Sequence, residues 1–384
     1  MPQPGKTNLN LSPHVILTDS GVSFFMQKGY KLSKIPTAEG AQQYGVKLAQ
    51  VSPSSFQHML RIGYLSRLEL SRPEFTSVRS DLMDFSKLIF FGMLYHHYDQ
   101  VVFDMLINSS IIKEWNRANP GNIIDSQTRI NDLFLQEVLS RNAGQIKSIR
   151  KAITAPLIER VGNNSSLQAD EINNMIFMTE KFMDFLRPFN WFMLSRFSSY
   201  EGHRQLIQET SNMLDLYIRR AVIADYLTLL LMELAISAET LNIISFAKKN
   251  LGESVDARAL LFDPARRDAL VEALKKAGAD LTIAWSIRNA ALSVPGSGKK
   301  LELIIYNREA AYHELKEKVE EKMKSGKGVS LSQFYKSTAA GNSEMGLLYL
   351  GYLQEECNKV GIRFTSHVGE SKGDVPSLSV TLQF

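Results

Sequence analysis

The sequence predicts an α+β protein: a mainly helical N-terminal and middle region followed by an α/β sandwich, a mixed sheet with helices on one face. Apolar residues recur at helical spacing from about residue 76 to residue 250. Two short apolar runs after residue 280, LTIAWSIR and LELIIYN, have the composition of strands. The chain has 384 residues, and domains of roughly 100–200 residues imply two or three of them.

The elements fall into three predicted regions. Residues 1–75 combine strand-like and helical patterns. Residues 76–214 are helical, include a candidate dimerisation helix, and are interrupted by Pro188 and by loops at residues 118–122 and 162–166. The helical pattern from residue 199 to residue 249 predicts one long helix or two helices joined end to end.

The last region, residues 215–384, alternates helices and strands. Asp263 as N-cap, Pro264 at the first helical position and Gly278 as C-cap predict one helix. The two strands named above follow it. A charged helix, an amphipathic helix that ends at Gly361 and two terminal strands complete the chain.

The composition limits the classes of function. There are 44 basic and 40 acidic residues, and a net charge of +4 is too balanced to argue for nucleic-acid binding. One cysteine, Cys357, excludes an intrachain disulfide and a Cys-rich metal site, and we expect it to be a small buried side chain. The N-terminus lacks a signal-peptide pattern, and the apolar runs fall short of the ~20 residues that span a bilayer. We therefore expect a cytoplasmic protein without a membrane span.

Four segments in the last region each match a different motif of one known domain, in the same order. They are MELAISAETLN, the end of the strand LELIIYN, the stretch FYKSTAAGNSEMGL, and the terminal strand SLSVTLQF with the residues before it. In this order they resemble the ATP-binding domain of histidine kinases, Hsp90 chaperones, type II topoisomerases and MutL, the GHKL superfamily. The matching positions are Glu233, Ser237, Asn307, Phe334, Lys336, Gly341, Gly346, Leu347 and Ser377.

The resemblance implies a role for each position. Glu233 would orient water, and it is the catalytic residue if the domain is active. Ser237 stands where the family has an Asn that helps to hold Mg²⁺ against the phosphates. Asn307 stands where the family has an acid that binds the adenine amino group.

The remaining positions belong to the lid and the phosphate site. Phe334 would pack the lid and Lys336 would face the phosphates. Gly341 and the pair Gly346-Leu347 survive from a glycine motif whose amides cradle a triphosphate. Ser377 stands near a phosphate-facing Thr.

The chain also departs from the family pattern. Ser237 replaces the Asn, and Glu309 and Ala311 stand where glycines are expected. Glu344 takes the place of another glycine and points negative charge at the expected phosphate site. At ~4 Å and an effective dielectric constant near 20, each such charge pair costs on the order of 4 kcal/mol. These changes predict weak binding of ATP and Mg²⁺, or none.

We therefore hypothesise a signalling or regulatory protein, a homodimer with a degenerate histidine-kinase-like domain that binds a protein partner of its pathway. The alternative is an unorthodox histidine kinase or ATPase that uses Mg-ATP. A third reading is a helical interaction module with an unrelated α+β domain.

Three other features favour structural roles. His203 lies on a helix without the acidic neighbour or the proline of a phosphoacceptor motif. His96 and His97 are adjacent, so they point about 100° apart on a helix and do not share a metal-binding face. The loop GSGKK lacks the spacing of a P-loop.

Overall fold

The computed structural model describes residues 8–384, apart from residue 166 and residues 253–262, 290–297, 308–344 and 371–374. The chain forms two compact units: residues 1–93 with 222–384, and residues 94–221. This division differs from the three predicted regions. The reason is that strands from the first 75 residues pair into the same sheet as strands after residue 280.

The sheet lies in the first unit. Its eight described strands are β1 (His14–Leu17), β2 (Ser33–Pro36), β3 (Gln42–Lys47), β4 (Leu65–Arg72), β5 (Leu281–Asn289), β6 (Lys299–Tyr306), β7 (Arg363–Glu370) and β8 (Pro376–Gln383). Their order is β2-β3-β1-β4-β5-β6-β8-β7. Each pair of neighbours is antiparallel. The class is α+β as predicted, but the described sheet is antiparallel where a mixed sheet was expected.

The described helices match most of the predicted helical patterns. They are α1 (Asp19–Gln27), α2 (Pro53–Arg61), α3 (Arg79–Ile107), α4 (Ser110–Ala118), α5 (Asp132–Arg141), α6 (Ala143–Gly162), α7 (Ala169–Phe185), α8 (Pro188–Arg196), α9 (His203–Ala221), α10 (Ile223–Leu251), α11 (Pro264–Ala277) and α12 (Met345–Lys359). The predicted charged helix after residue 307 lies outside the described residues.

The core of the first unit forms between the sheet and its helices. The Trp285 side chain of β5 is fully buried, and its ring meets the Phe85 ring of α3 edge to face, with centroids 5.4 Å apart. On either side of Trp285 in the sheet lie Leu68 of β4 and Leu303 of β6. Helix α10 packs against β5, α11 and α12. Burial of these apolar side chains holds α10 against the sheet and against α11 and α12.

Local signals set the ends of several helices. The Asp263 carboxylate accepts hydrogen bonds from the Ala265 and Arg266 N–H groups, at 3.1 and 3.3 Å, and caps α11. Gly278 has φ +63°, which favours glycine, and it ends that helix as predicted. Helix α7 ends at Phe185 and α8 begins at Pro188, which confirms the predicted break.

The second unit is helical in its described residues. Helix α6 packs against α7, α8 and α9. The rings of Phe182 on α7 and Tyr217 on α9 lie 4.8 Å apart in its core. Arg187 donates to Asp99 at 2.7 Å, which joins the start of α8 to α3.

The predicted long helix is two helices, α9 and α10, which meet at Val222. The stretch His203–Leu251 is the one part of the described chain that is long and apolar enough to cross a bilayer. Within its most apolar window, 61% is buried inside the protein, and the core helix of a soluble protein passes the same test.

Candidate functional site

The candidate site lies where β6 ends. Asn307 follows that strand, and its backbone N–H donates to the Pro376 carbonyl of β8 at 3.0 Å. Its side-chain Nδ2 donates to the Ala238 carbonyl of α10 at 3.1 Å. Asn307 is only 4% exposed. Its amide therefore ties α10 to this end of the sheet.

Two other predicted residues lie beside Asn307. Ser377 of β8 pairs with Tyr306, the residue before Asn307, and its hydroxyl donates to the Gly369 carbonyl at 3.2 Å. Ser237 immediately precedes Ala238 on α10, and its side chain is exposed. The structure thus places Asn307 and Ser377 at one end of the sheet, and Ser237 lies next to the α10 residue that Asn307 contacts.

Glu233 lies on α10 four residues before Ser237, so the two residues share a helix face. Its side chain is half-buried. Burial raises the pKa of the Glu233 carboxyl, and the nearby Arg79 charge only partly opposes this rise. A carboxyl with a raised pKa is better suited to take up and release a proton near neutral pH.

The rest of the predicted site is described in part. Phe334, Lys336 and Gly341 lie outside the described residues, as does Glu344. Gly346 and Leu347 are helical and lie in the described part of α12, which begins at Met345 next to residues outside the described ranges. Their predicted role at a phosphate site stays a prediction.

A buried polar cluster next to Asn307 was missed by the sequence analysis. Arg67 of β4 donates to Glu69 at 2.6 Å, to Glu39 at 3.3 Å and to the Tyr306 hydroxyl at 2.7 Å. The Tyr306 hydroxyl donates to Glu39 at 2.6 Å. Both Glu69 carboxylate oxygens accept from the Ala38 N–H, at 3.1 and 2.9 Å. We call Glu39, Arg67, Glu69 and Tyr306 the arginine cluster.

Charge and burial act against each other in the arginine cluster. Burial alone would lower the pKa of Arg67, but Tyr306 and Glu69 outweigh it and leave that pKa raised. Burial alone would raise the pKa of Glu39, but the Tyr306 hydrogen bond and the Arg67 charge leave it lowered. Arg67 therefore keeps its charge, and it lies between the carboxyl groups of Glu39 and Glu69. The spacing Arg-x-Glu in β4 could have indicated it, since residues two apart share a strand face.

A second buried carboxylate lies on α10 within the segment MELAISAETLN. Glu239 accepts from the backbone N–H groups of Phe75 and Thr76, at 2.8 and 3.1 Å, and from the Thr76 hydroxyl at 2.9 Å. Arg267 of α11 also donates to Glu239. Each of these hydrogen bonds links Glu239 to another segment of the protein. Glu239 therefore holds α10 to the connection after β4 and to α11.

The described residues contain no group of three or more His, Cys, Asp and Glu side chains placed to hold a metal ion. In the predicted Mg²⁺ position, Ser237 offers one exposed hydroxyl.

The histidines considered in the sequence have structural surroundings. Burial and the Arg220 charge lower the pKa of His97 to about 4, and the Asp99 carboxylate accepts from Arg187. His203 contacts the Leu194 carbonyl through Nε2 at 2.8 Å.

The fold and the site together define an α+β protein with an antiparallel sheet and a polar end at β6. The chain belongs to DUF8084, a family of unknown function whose sequence model matches residues 5–384. It is also similar to a protein of Treponema pallidum (strain Nichols), described as an uncharacterized protein. The two are 31% identical over 380 residues, which cover 98% of each chain. No solved structure matches the chain.

Proposed function

We propose that this chain is a cytoplasmic regulatory protein that acts mainly by binding a protein partner of a signalling pathway. In this proposal, its first unit is a degenerate GHKL-like sandwich with helices on one face of the sheet. The element order supports it: α10, α11, β5 and β6 come first, and α12, β7 and β8 follow. This is the order on which the resemblance rests.

The main observation behind the proposal is the burial and hydrogen bonding of Asn307. An adenine amino group needs an acceptor at this position. The acceptor would be Oδ1 of Asn307, but this side chain is only 4% exposed, and its Nδ2 donates to the Ala238 carbonyl. A base could reach Oδ1 only if the protein around Asn307 moved, and a buried polar group left unsatisfied by that movement costs about 1–3 kcal/mol. The substitution of glycine by Glu344 in the lid sequence acts in the same direction.

Calorimetry on the full chain tests the proposal, with ATP titrated in the presence and absence of Mg²⁺. We expect no binding up to millimolar ATP. The variant Glu344→Gly removes the charge at the phosphate position, and weak Mg²⁺-dependent binding should then appear. The variant Glu344→Gln separates the effect of charge from that of side-chain size. Micromolar binding by the unmodified chain would overturn the proposal.

A second candidate function, an active kinase or ATPase with bound Mg-ATP, is favoured by Glu233. Its carboxyl has a raised pKa and shares a helix face with Ser237. If this function were right, the chain would hydrolyse ATP and Glu233→Gln would abolish the activity. The matched control is Glu272→Gln, an exposed carboxylate on α11. Equal ATP turnover in both variants would reject this role for Glu233.

We further propose that the protein is a homodimer. The resemblance supports this proposal, because histidine kinases dimerise through long helices of this kind, and Leu241 presents an exposed apolar side chain on α10, 42% exposed. Light scattering across a concentration series should show twice the chain mass. The variant Leu241→Glu should shift the equilibrium to monomer, whereas Leu133→Glu on α5 should not. A monomer at every concentration of the unmodified chain would refute the dimer.

A further inference from the structure

The turn that joins β2 to β3, residues 37–41, folds onto one face of the sheet. Glu69 of β4 pairs with Ala284 of β5. Both point away from α3, because successive residues of a strand point to opposite faces and the next residue, Trp285, contacts α3. Ala38 of the turn packs against a buried cluster that includes Ala284, and its N–H donates to Glu69. The turn therefore covers part of the sheet face that lies opposite to α3.

Two buried donors converge on one carboxylate oxygen of this turn. Oε1 of Glu39 accepts from the Tyr306 hydroxyl at 2.6 Å and from Arg67 Nη1 at 3.3 Å. The Tyr306 hydroxyl in turn accepts from Arg67 Nη2 at 2.7 Å. Arg67 is 6% exposed and Tyr306 is 3% exposed, so the sheet holds both donors in place. Arg67 and Tyr306 thus form a preformed site for one carboxylate group, which we call the carboxylate cradle.

Glu39 is the most exposed member of the arginine cluster. Its side chain is 25% exposed, against 3% for that of Glu69. Glu69 holds Arg67 at 2.6 Å whether or not Glu39 is present. Arg288, whose charge also acts on Glu39, is paired with Glu302 at 3.5 Å. Departure of Glu39 therefore leaves each arginine with a carboxylate partner and leaves no buried charge unpaired.

The end of the β2–β3 hairpin is attached to the sheet mainly through this turn. In the part of the chain that the structure describes, residues 45–47 of β3 pair with β1, whereas residues 42–44 pair with β2 alone. The side chains of residues 42–44 are exposed. Movement of the turn would therefore break the contacts of Ala38 and Glu39, while the pairing of β1 with β3 remains.

We propose that the carboxylate cradle is a binding site for one carboxylate group, that the chain fills it with its own Glu39, and that the turn is a latch over it. When the turn opens, a carboxylate from outside takes the place of Glu39. The contacts of Glu39 define the chemistry of this ligand: one oxygen accepts from a guanidinium and from a hydroxyl.

Chemical replacement of the Glu39 carboxylate tests the cradle. Glu39→Ala removes the atoms that acetate can supply. Hydrogen exchange of residues 37–41, measured by mass spectrometry on the full chain, reports the closed turn through the Ala38 N–H. We expect Glu39→Ala to lower this protection by about tenfold or more, since two hydrogen bonds to a charged group are lost. Millimolar acetate should restore most of it, and sodium chloride at equal ionic strength should not.

Further variants locate the acetate. Glu39→Gln removes the charge but keeps the cradle filled, so its lost protection should not return with acetate. Glu39→Ala combined with Tyr306→Phe lacks one donor and should need about tenfold more acetate. The matched control is Glu137→Ala, an exposed carboxylate on α5, which should leave residues 37–41 unchanged. No acetate effect in Glu39→Ala, or the same acetate dependence with and without the Tyr306 hydroxyl, would overturn the proposal.

Exchange in the unmodified chain tests the latch. Residues 37–41 should exchange through local opening, at a rate that low urea concentrations leave unchanged. Exchange in β5 should need unfolding of the unit and should rise with urea. Equal rates with the same urea dependence in both segments would overturn the latch.

A second probe separates two sources of the carboxylate. The blocked tripeptide Ala-Glu-Ala presents the acid as a side chain, and it is titrated into Glu39→Ala beside acetate. Restored protection with both probes would identify an acidic side chain of a partner as a ligand of the cradle. Restoration by acetate alone would identify a small free acid, and restoration by neither would overturn the proposal.

Discussion

Replacement of Arg67 by methionine should destabilise the first unit. Methionine keeps much of the apolar stem but removes the cation, and it leaves Glu39 and Glu69 without their shared partner. The Arg67 side chain is 8% exposed and that of Glu69 is 3% exposed, so water cannot readily take the place of the guanidinium.

The expected loss of unfolding free energy depends on the hydrogen bonds that Glu39 and Glu69 keep in the variant. Removal of one partner of a buried ion pair costs about 3–5 kcal/mol, because the other charge stays buried. Glu69 still accepts from the Ala38 N–H, and Glu39 still accepts from the Tyr306 hydroxyl at 2.6 Å. We therefore expect the lower end of that range, about 3 kcal/mol of unfolding free energy.

Urea unfolding followed by tryptophan fluorescence measures this cost. The chain has three tryptophans, and Trp115 and Trp191 belong to the second unit. In a background with both replaced by phenylalanine, the signal comes from Trp285, which is fully buried in the core of the first unit. The matched control is Arg141→Met, an exposed arginine paired with Glu137 on α5, which should cost about 0.5 kcal/mol or less.

The pH dependence gives a second, independent check. In the unmodified chain the pKa of Glu39 is lowered, so its contribution to stability is present above the ordinary carboxyl pKa of 4.5 and is lost as the pH falls through the folded value. Without Arg67, burial should raise the pKa of Glu39, and protonation of this carboxyl should then reduce the loss of stability in the variant. The deficit of Arg67→Met should therefore shrink as the pH falls from 7 towards 4.5. An unchanged midpoint at pH 7, or a deficit that is constant with pH, would refute the reasoning.

Three other predictions test the surrounding structure. Glu239→Ala should cost about 1–3 kcal/mol of unfolding free energy, since it leaves the buried Phe75 N–H without its acceptor and removes one of the carboxylates that pair with Arg267. Hydrogen exchange should rise just after β4, and unchanged exchange there would contradict this prediction. Burial raises the pKa of the Cys357 thiol to about 12, so a thiol reagent at pH 8 should react only after denaturation, and fast labelling of the native chain would contradict it. Gly45→Ala would place a Cβ 2.4 Å from the Val15 carbonyl and should lower the thermal midpoint, whereas Gly121→Ala, with open space around it, should not.

The parts of the fold that could be predicted depend on short-range signals. Residues close together in the sequence determine the caps of α11 and the break at Pro188. The same is true of the positions of β5 and β6. The sheet could not be predicted in this way. Leu68 of β4 pairs with Trp285 of β5, so the pairing joins strands more than two hundred residues apart in sequence. A strand pattern does not indicate which distant strand will be its neighbour, and so residues 1–75 looked like a separate region.

The candidate site shows the same limit. The position of Asn307 after a hydrophobic strand could be predicted because strand and polar end are adjacent in sequence. Its bond to Ala238 could not, since that bond depends on how α10 packs on the sheet. The arginine cluster was missed for a related reason. It assembles side chains from three separate parts of the chain, and only the pair Arg67 and Glu69 has a local signature.

Tyr306 and Asn307 give adjacent residues two different structural roles. Tyr306 bonds Arg67 and Glu39 in the arginine cluster, while Asn307 bonds the backbone of α10. Because Asn307 is only 4% exposed, a ligand that contacts its Oδ1 would need a local movement at this end of the sheet. Loosening of the arginine cluster by Arg67→Met should therefore ease any such movement. If nucleotide binding is blocked by this internal bonding, ATP affinity should rise in Arg67→Met combined with Glu344→Gly beyond that of Glu344→Gly alone. Equal affinity in the two variants would assign the block to the lid substitution rather than to the bonded state of Asn307.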